Sequence, residues 1–259
     1  MEAAKQEKYR KLVERVKASY AIYDKNQEPI KDKLYWCREC DEINFWTYWQ
    51  GRGHLDAKIM LVGQDWGNPW EGSCEGFLKK VKGTTSGTIT DYMKDNDSIT
   101  DKNLAQLFRE LKPDLDISQP CEDLFFTNFV LGYRTGNISG NFKKAWARKD
   151  SKYFRELVNI IEPKVVLCLG RSTYEAVIQV LDPQKKLRIG RYNAFIESGD
   201  NPRTVLLESG KEAAVFALAH CGAVGTMNRN RGYEHAKGLD LQKKDWERIR
   251  DYLMDHQCI

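Results

Sequence analysis

The chain has 259 residues, 41% hydrophobic and 30% charged, a balance that suits a soluble globular protein with one sizeable core. Its 41 basic and 37 acidic residues give a net charge of +4, too small by itself to indicate nucleic-acid binding. Membrane spans, a signal peptide and a disulfide framework are not expected, because no apolar run is long enough and the seven cysteines are scattered. We therefore expect one domain over residues 1–259, in a monomeric protein of the cytoplasm or nucleus.

The first 54 residues are predicted to be an N-terminal helix followed by an insert. Residues 3–22 have apolar side chains at helical spacing, and residues 34–50 are rich in aromatic side chains. The insert contains Cys37 and Cys40, a two-residue spacing that also occurs in zinc and iron–sulfur sites. The alternative is a pair of packed thiols beside the aromatic side chains.

Four apolar runs predict strands that are buried on both faces. The most informative is residues 58–67, which read Lys-Ile-Met-Leu-Val-Gly-Gln-Asp-Trp-Gly. The other three lie within residues 123–130, 162–171 and 214–222. Each run ends in a glycine or a polar side chain, namely Asp65, Asn128, Gly170 and His220.

Helices are predicted between and after these strands, at residues 101–112, 150–161, 172–181 and 239–255, with Asp101 as a possible cap. Residues 66–100 are expected to form a long loop with a short helix, and residues 186–208 a small hairpin or irregular excursion. Strands that alternate with helices favour a three-layer α/β/α sandwich with a four-stranded, mainly parallel sheet.

The ends of parallel strands share one edge of a sheet, which is where open α/β sheets bind ligands. An acid, an amide and an imidazole at that edge form a plausible catalytic set. Each has a simpler alternative: Asp65 caps a turn, Asn128 satisfies loop backbone groups, and His220 is structural.

Two segments carry an excess of basic side chains. Residues 134–152 contain six lysines and arginines against Asp150, and residues 222–231 contain Arg229 and Arg231 without an acid. Both follow strand ends, so they are expected to flank one cleft, where basic loops suit phosphate contacts. For residues 143–152 the alternative is an ordinary solvated surface.

The order of these motifs resembles the uracil-DNA glycosylase superfamily. In that family the first strand runs into Gly-Gln-Asp-Pro-Tyr or a Gly-X-X-Pro-Gly variant, and here residues 63–67 read Gly-Gln-Asp-Trp-Gly. The family's Asn-ended, Pro-Lys-Val-Val and His-ended strands have counterparts, in order, at residues 127–128, 163–170 and 220–223. The resemblance covers roughly residues 55–255, and Trp66 and Cys221 replace two prolines of the family.

This resemblance implies a DNA base-excision enzyme that hydrolyses the N-glycosidic bond of uracil or a related damaged base. Asp65 would orient a water and stabilise the cationic sugar, His220 would donate a hydrogen bond to the departing base, and Asn128 would read the base edge. Phe77 would stack on the base. Gln64 and Gly67 would line the base pocket, where Gly67 leaves room that Trp66 and Trp70 could refill.

The resemblance also implies that the loop of residues 222–231 enters DNA, with Met227 as an apolar wedge and Arg229 and Arg231 on phosphates. No cofactor or metal is expected, because the stretch after Asn128 lacks the cysteine of the family's iron–sulfur branch. Two alternatives stay open. One is a non-enzymatic member of the same fold that binds nucleic acid or protein, and the other is a hydrolase of a nucleoside or nucleotide.

Overall fold

A computed structural model describes residues 2–22, 33–36, 43, 55–65, 98–115, 117, 123–134, 143–184 and 187–257. The helices among them are α1 (Glu2–Ala18), α2 (Ile99–Leu111), α3 (Lys144–Ile161), α4 (Arg171–Leu181), α5 (Tyr192–Ile196), α6 (Ala223–Asn230) and α7 (Asp240–Asp255). The strands are β1 (Ala21–Ile22), β2 (Leu34–Trp36), β3 (Ile59–Gly63), β4 (Leu124–Asn128), β5 (Tyr133–Arg134), β6 (Val165–Leu169), β7 (Arg203–Leu206) and β8 (Glu212–Leu218).

The main sheet has five strands in the order β4-β3-β6-β8-β7. The four strands predicted from the apolar runs are all parallel to one another, and β7 adds an antiparallel edge beside β8. The α/β sandwich is confirmed, while the number of strands is five instead of four because part of the expected excursion pairs with β8. Short strands β1, β2 and β5 form a second sheet.

The main sheet separates two hydrophobic cores. Ile59 and Leu61 of β3 pack into the core beneath α2 and α7, whereas Met60 and Val62 pack into the core beneath α1, α3 and α4. Every residue of β6 is buried, because helices cover both faces of this central strand. The apolar runs of the sequence therefore correspond to strands that are buried on both faces of the sheet.

The starts of α2 and α3 differ from the prediction. Ser98 caps α2 by accepting a hydrogen bond of 3.3 Å from the Asp101 backbone N–H, so Asp101 lies in the first turn and is not the cap. Helix α3 begins at Lys144 and passes through Asp150, which is fully buried. The Asp150 carboxylate accepts hydrogen bonds from the hydroxyl of Tyr20 and, at 2.7 Å, from the backbone N–H of Leu131.

Helix α1 packs beside α3 on one face of the main sheet, and its apolar spacing predicts such a helix on a flank of the sheet. Its inward side chains Tyr9, Leu12, Val13 and Val16 are all buried. Tyr20 follows the helix and joins it to Asp150, so the N-terminal layer is held by packing and by one buried polar contact.

Candidate functional site

Four strand ends meet at one edge of the main sheet, which we call the carboxyl rim: Asp65 after β3, Asn128 in β4, Gly170 after β6 and His220 after β8. Gly63 pairs with Asn128 across β3 and β4, and Leu169 pairs with Leu218 across β6 and β8. Because the four strands are parallel, the predicted acid, amide and imidazole lie at the same edge. Asp65 and His220 are separated by the single strand β6.

The direction of the chain connections changes between β3 and β6. Strand β3 leads to α2 on one face of the sheet, whereas β6 leads to α4 on the other face. Connections that leave neighbouring parallel strands in opposite directions open a crevice at their carboxyl ends, the usual ligand site of open α/β sheets. Asp65 and Gly170 follow the two strands on either side of this position.

Asn128 is buried and lies directly against Gly63. A Cβ atom on Gly63 would come within 2.1 Å of the Asn128 Oδ1 atom, so only glycine leaves space for this amide. Backbone hydrogen bonds continue past the strands, from Phe129 N–H to the Gly63 carbonyl at 2.9 Å and from Val130 N–H to the Gln64 carbonyl at 3.1 Å. The amide is therefore fixed at the rim by its neighbouring strand.

Asp65 is half-buried beside Gln64. The Gln64 side chain donates a hydrogen bond of 3.0 Å from Nε2 to the Asp65 Oδ2 atom. This contact orients the carboxylate, while the lining of a base pocket by Gln64 stays a prediction.

His220 has a defined tautomer. The backbone N–H of Gly222 donates a hydrogen bond of 3.0 Å to its Nδ1 atom, so a neutral ring carries its proton on Nε2. The ring is accessible to solvent, yet the surrounding protein partly desolvates it, and this desolvation lowers its pKa below the usual value. A neutral imidazole at this position is a hydrogen-bond donor through Nε2.

Glycines allow close packing around His220. A Cβ on Gly225 of α6 would lie 2.0 Å from the His220 carbonyl oxygen, and a Cβ on Gly222 would lie 3.0 Å from His220 Nδ1. A Cβ on Gly170 would lie 3.9 Å from the His220 Cβ. The first turn of α6 is thereby set directly against the imidazole-bearing turn.

Cys221 stands where the resembling family has a proline. Its side chain is fully buried, and its carbonyl accepts a hydrogen bond of 2.7 Å from the Asn103 amide of α2. Burial raises the pKa of the Cys221 thiol, which keeps it protonated and unreactive. The cysteine that replaces the family's proline is therefore a packed thiol, and its turn is held by a hydrogen bond from α2.

The expected DNA-entering loop is a helix, and one of its arginines is not available to DNA. Residues 223–230 form α6, and the Arg229 guanidinium, 2% exposed, pairs with Asp245 at 2.7 Å and with Glu197 at 2.7 Å. The assignment of Arg229 to a phosphate contact is wrong, because Asp245 and Glu197 supply acids that the local sequence does not contain. Met227 and Arg231 are exposed.

Other arginines lie near the carboxyl rim. Arg171 donates hydrogen bonds to the Ile189 and Gly190 carbonyls at 2.9 and 3.1 Å, and the Tyr192 hydroxyl donates to the Leu218 carbonyl at 3.0 Å. These contacts hold residues 188–192 over the ends of β6 and β8. The segment carries Arg188 and Arg191, which are exposed and have no ion pair among the described residues.

Several predicted site residues lie outside the described residues: Gly67, Phe77, Trp66, Trp70, Cys37 and Cys40. Within the described part of the chain, no three His, Cys, Asp or Glu side chains converge as metal ligands. A groove of about 330 Å³ between α1 and α3 is lined by Arg15, Lys152 and Glu156. It lies away from the carboxyl rim and gathers no set of groups suited to catalysis.

Comparison with models of known protein families finds no match, and comparison with curated protein sequences finds none either. None of the helices in the described ranges is both long and apolar enough to cross a membrane.

Proposed function

We propose that this protein is a DNA base-excision glycosylase that hydrolyses the N-glycosidic bond of uracil or a related damaged base. The observation that supports the proposal is that Asp65, Asn128 and His220 follow or end parallel strands at one carboxyl rim, on either side of the point between β3 and β6 where the chain connections change direction. The resemblance in motif order points to the same reaction.

Breaking this bond requires a base outside the stack, a sugar that tolerates positive charge and a base that leaves with negative charge. The Asp65 carboxylate, oriented by Gln64, is suited to position the attacking water and to stabilise the sugar cation. In the proposed reaction the glycosidic bond breaks and its electron pair leaves with the base, while the water oxygen bonds to the sugar carbon and gives up one proton to the Asp65 carboxylate.

Asn128 and His220 are suited to the base. The buried Asn128 amide offers a donor and an acceptor, which match the edge of a pyrimidine. The neutral His220 ring offers Nε2–H to a base oxygen as negative charge develops there. The first turn of α6, close behind this ring, adds the positive end of a helix dipole.

The surface around the rim favours a polymer over a free nucleoside as the substrate. Arg188, Arg191 and Arg231 are exposed cations suited to phosphates, and Met227 of α6 is 58% exposed and suited to fill the space of a flipped base. A nucleoside would use neither feature.

The proposal is tested by incubating the purified protein with single- and double-stranded oligonucleotides that contain one uracil, followed by alkali. We expect alkali-labile sites at the uracil, release of the free base, and no cleavage of the matched thymine oligonucleotide. Deoxyuridine is the comparison substrate. Hydrolysis of deoxyuridine alone would favour the nucleoside hydrolase, and absence of base release from a panel of damaged bases would favour the binding protein.

A further inference from the structure

Gln242 is a buried amide that contacts the turn bearing His220 from a distant part of the chain. It lies in the first turn of α7 and is 1% exposed. Its Nε2 atom donates hydrogen bonds to the carbonyls of Ala219 at 3.3 Å and His220 at 3.2 Å. Its Oε1 atom accepts a hydrogen bond of 2.8 Å from the Thr226 hydroxyl of α6.

These bonds supply donors to two backbone carbonyls that the sheet does not pair. Strand β8 ends at Leu218, so the carbonyls of Ala219 and His220 lie beyond the sheet ladder and need other donors. The Ala219 and His220 carbonyls can only accept, so they fix which end of the Gln242 amide is the NH₂ group, and the amide oxygen is then directed at the Thr226 hydroxyl. One side chain thus joins α7, α6 and the end of β8.

We propose that Gln242 is the positioning residue that sets the direction of the His220 imidazole. By holding the His220 carbonyl it fixes the peptide plane from which the ring projects, while Gly222 binds the ring at Nδ1. The catalytic consequence rests on the proposed function, whereas the effect of Gln242 on the ring does not. Gln242 itself touches no reacting atom.

The same strand offers a matched control. Asn201 clamps β8 at Ala217, where its Nδ2 donates to the carbonyl at 3.1 Å and its Oδ1 accepts from the N–H at 2.8 Å. This clamp has the same chemistry but does not contact the turn after β8. Gln242→Met and Asn201→Leu each keep the approximate shape and remove the amide.

The test follows the His220 ring by nitrogen NMR as the pH changes. The protein has four histidines, and the His220 signals are assigned by their loss in His220→Gln. In the unmodified protein we expect a neutral ring protonated on Nε2, with a pKa below the usual value of about 6.5. Among the charged groups around this turn, Asp101 at the start of α2 interacts electrostatically with Cys221, and Arg171 at the start of α4 directly follows Gly170, which lies beside His220.

Gln242→Met should convert His220 to a mixture of tautomers and move its pKa toward the usual value, since the freed ring becomes better hydrated. Excision by this variant should fall about 100-fold with little change in DNA affinity, as expected for misplacement of a reacting group. Asn201→Leu should lower the unfolding temperature while leaving the His220 signals and the excision rate unchanged.

If Gln242→Met does not fold, Gln242→Asn replaces it. An amide that is shorter by one methylene cannot reach the two carbonyls and Thr226 together, so the turn that bears His220 should again lose its support. An unchanged tautomer and pKa in the folded Gln242 variant, or an equal change in Asn201→Leu, would overturn the proposal. The expected NMR result in a protein that excises no base would uphold the positioning role and refute the glycosylase.

Discussion

At the scale of single residues, the protonation state of His220 links the carboxyl rim to a measurable pH dependence. Protein atoms around the ring lower its pKa, and the Gly222 N–H points at Nδ1, where a second ring proton would have to sit. Both features favour the neutral ring. At acid pH a proton on Nδ1 would face the Gly222 N–H, so the ring should turn away from the position in which Nε2–H donates to the base.

We therefore expect the excision rate to fall as pH decreases through a pKa below about 6.5, the ordinary value for histidine. His220→Gln keeps an amide N–H donor and should lose this acid limb while retaining part of the rate at neutral pH. Single-turnover excision between pH 4.5 and 8.5, a range of about two units either side of that value, measures both. An acid limb above 6.5, or one that persists in His220→Gln, would show that another group titrates.

The close approach of Gly63 to the Asn128 amide makes position 63 sensitive to substitution. In Gly63→Ala the new Cβ would lie 2.1 Å from the Asn128 Oδ1 atom, so the amide must move. Excision should drop about 100-fold because a reacting contact is displaced. Gly199→Ala is the control, since a Cβ at Gly199 meets no atom within 4 Å. Equal excision by the two variants would mean that the position of Asn128 does not matter.

At the scale of elements, α6 is the part of the site that differs most from its prediction. Residues 222–231 are rich in glycine and asparagine, which disfavour an isolated helix, and tertiary contacts supply the missing stability. The Asn193 amide of α5 donates to the Asn228 and Arg229 carbonyls at 3.0 and 3.1 Å, and Arg229 pairs with Asp245 of α7. Neither partner lies within the local sequence window.

The two arginines of this region should behave differently. Arg229→Ala leaves Asp245 buried without its main partner and should lower the free energy of unfolding by about 3–5 kcal/mol. Arg231→Ala should leave stability unchanged and weaken DNA binding, with the slope of log affinity against log salt reduced by about 1. Denaturant unfolding and salt-dependent binding separate the two. A smaller salt slope in a fully stable Arg229→Ala would contradict the ion-pair assignment.

The four parallel strands and the helices α2, α3, α4 and α7 were predictable, because apolar runs and helical spacing are visible in a short window of sequence, whereas α6 was not. The same windows identified Asp65, Asn128 and His220 as strand-end residues. They could not identify Gln242, which reaches His220 from 22 residues away. One signal was present: Gln242 lies on the same helical stripe as Trp246 and Ile249, where a polar side chain must find a partner.

At the scale of the whole molecule, Asp150 joins the N-terminal layer to the backbone that follows β4. Burial raises the pKa of this carboxyl even though Tyr20 and Leu131 donate hydrogen bonds to it. A carboxyl whose pKa is raised on folding binds its proton more tightly in the folded state. It therefore contributes stability at low pH that is lost as pH rises from about 3.9 through the folded pKa.

Asp150→Asn should remove this dependence while keeping an oxygen acceptor. We expect the variant to gain stability relative to the unmodified protein as pH rises from 5 to 7.5, whereas Asp150→Ala, which removes the same pH dependence, should be less stable than Asp150→Asn by about 1–3 kcal/mol at both pH values because its donors are unmatched. Urea unfolding at the two pH values measures this. A stability deficit of Asp150→Asn that grows with pH would show that the folded state favours the carboxylate.

We propose that the carboxyl rim breaks a glycosidic bond through Asp65, and a comparison of base excision with DNA binding by Asp65→Asn is the sharpest test of this role. The substitution removes the charge while keeping an amide of the same shape beside Gln64. On a uracil-containing duplex, with Asp123→Asn as a control at the opposite edge of the sheet, base release by Asp65→Asn should fall about 100- to 1,000-fold while DNA affinity is retained. Undiminished base release by Asp65→Asn, or an equal loss of DNA binding and base release, would show that the Asp65 carboxylate does not act on the glycosidic bond.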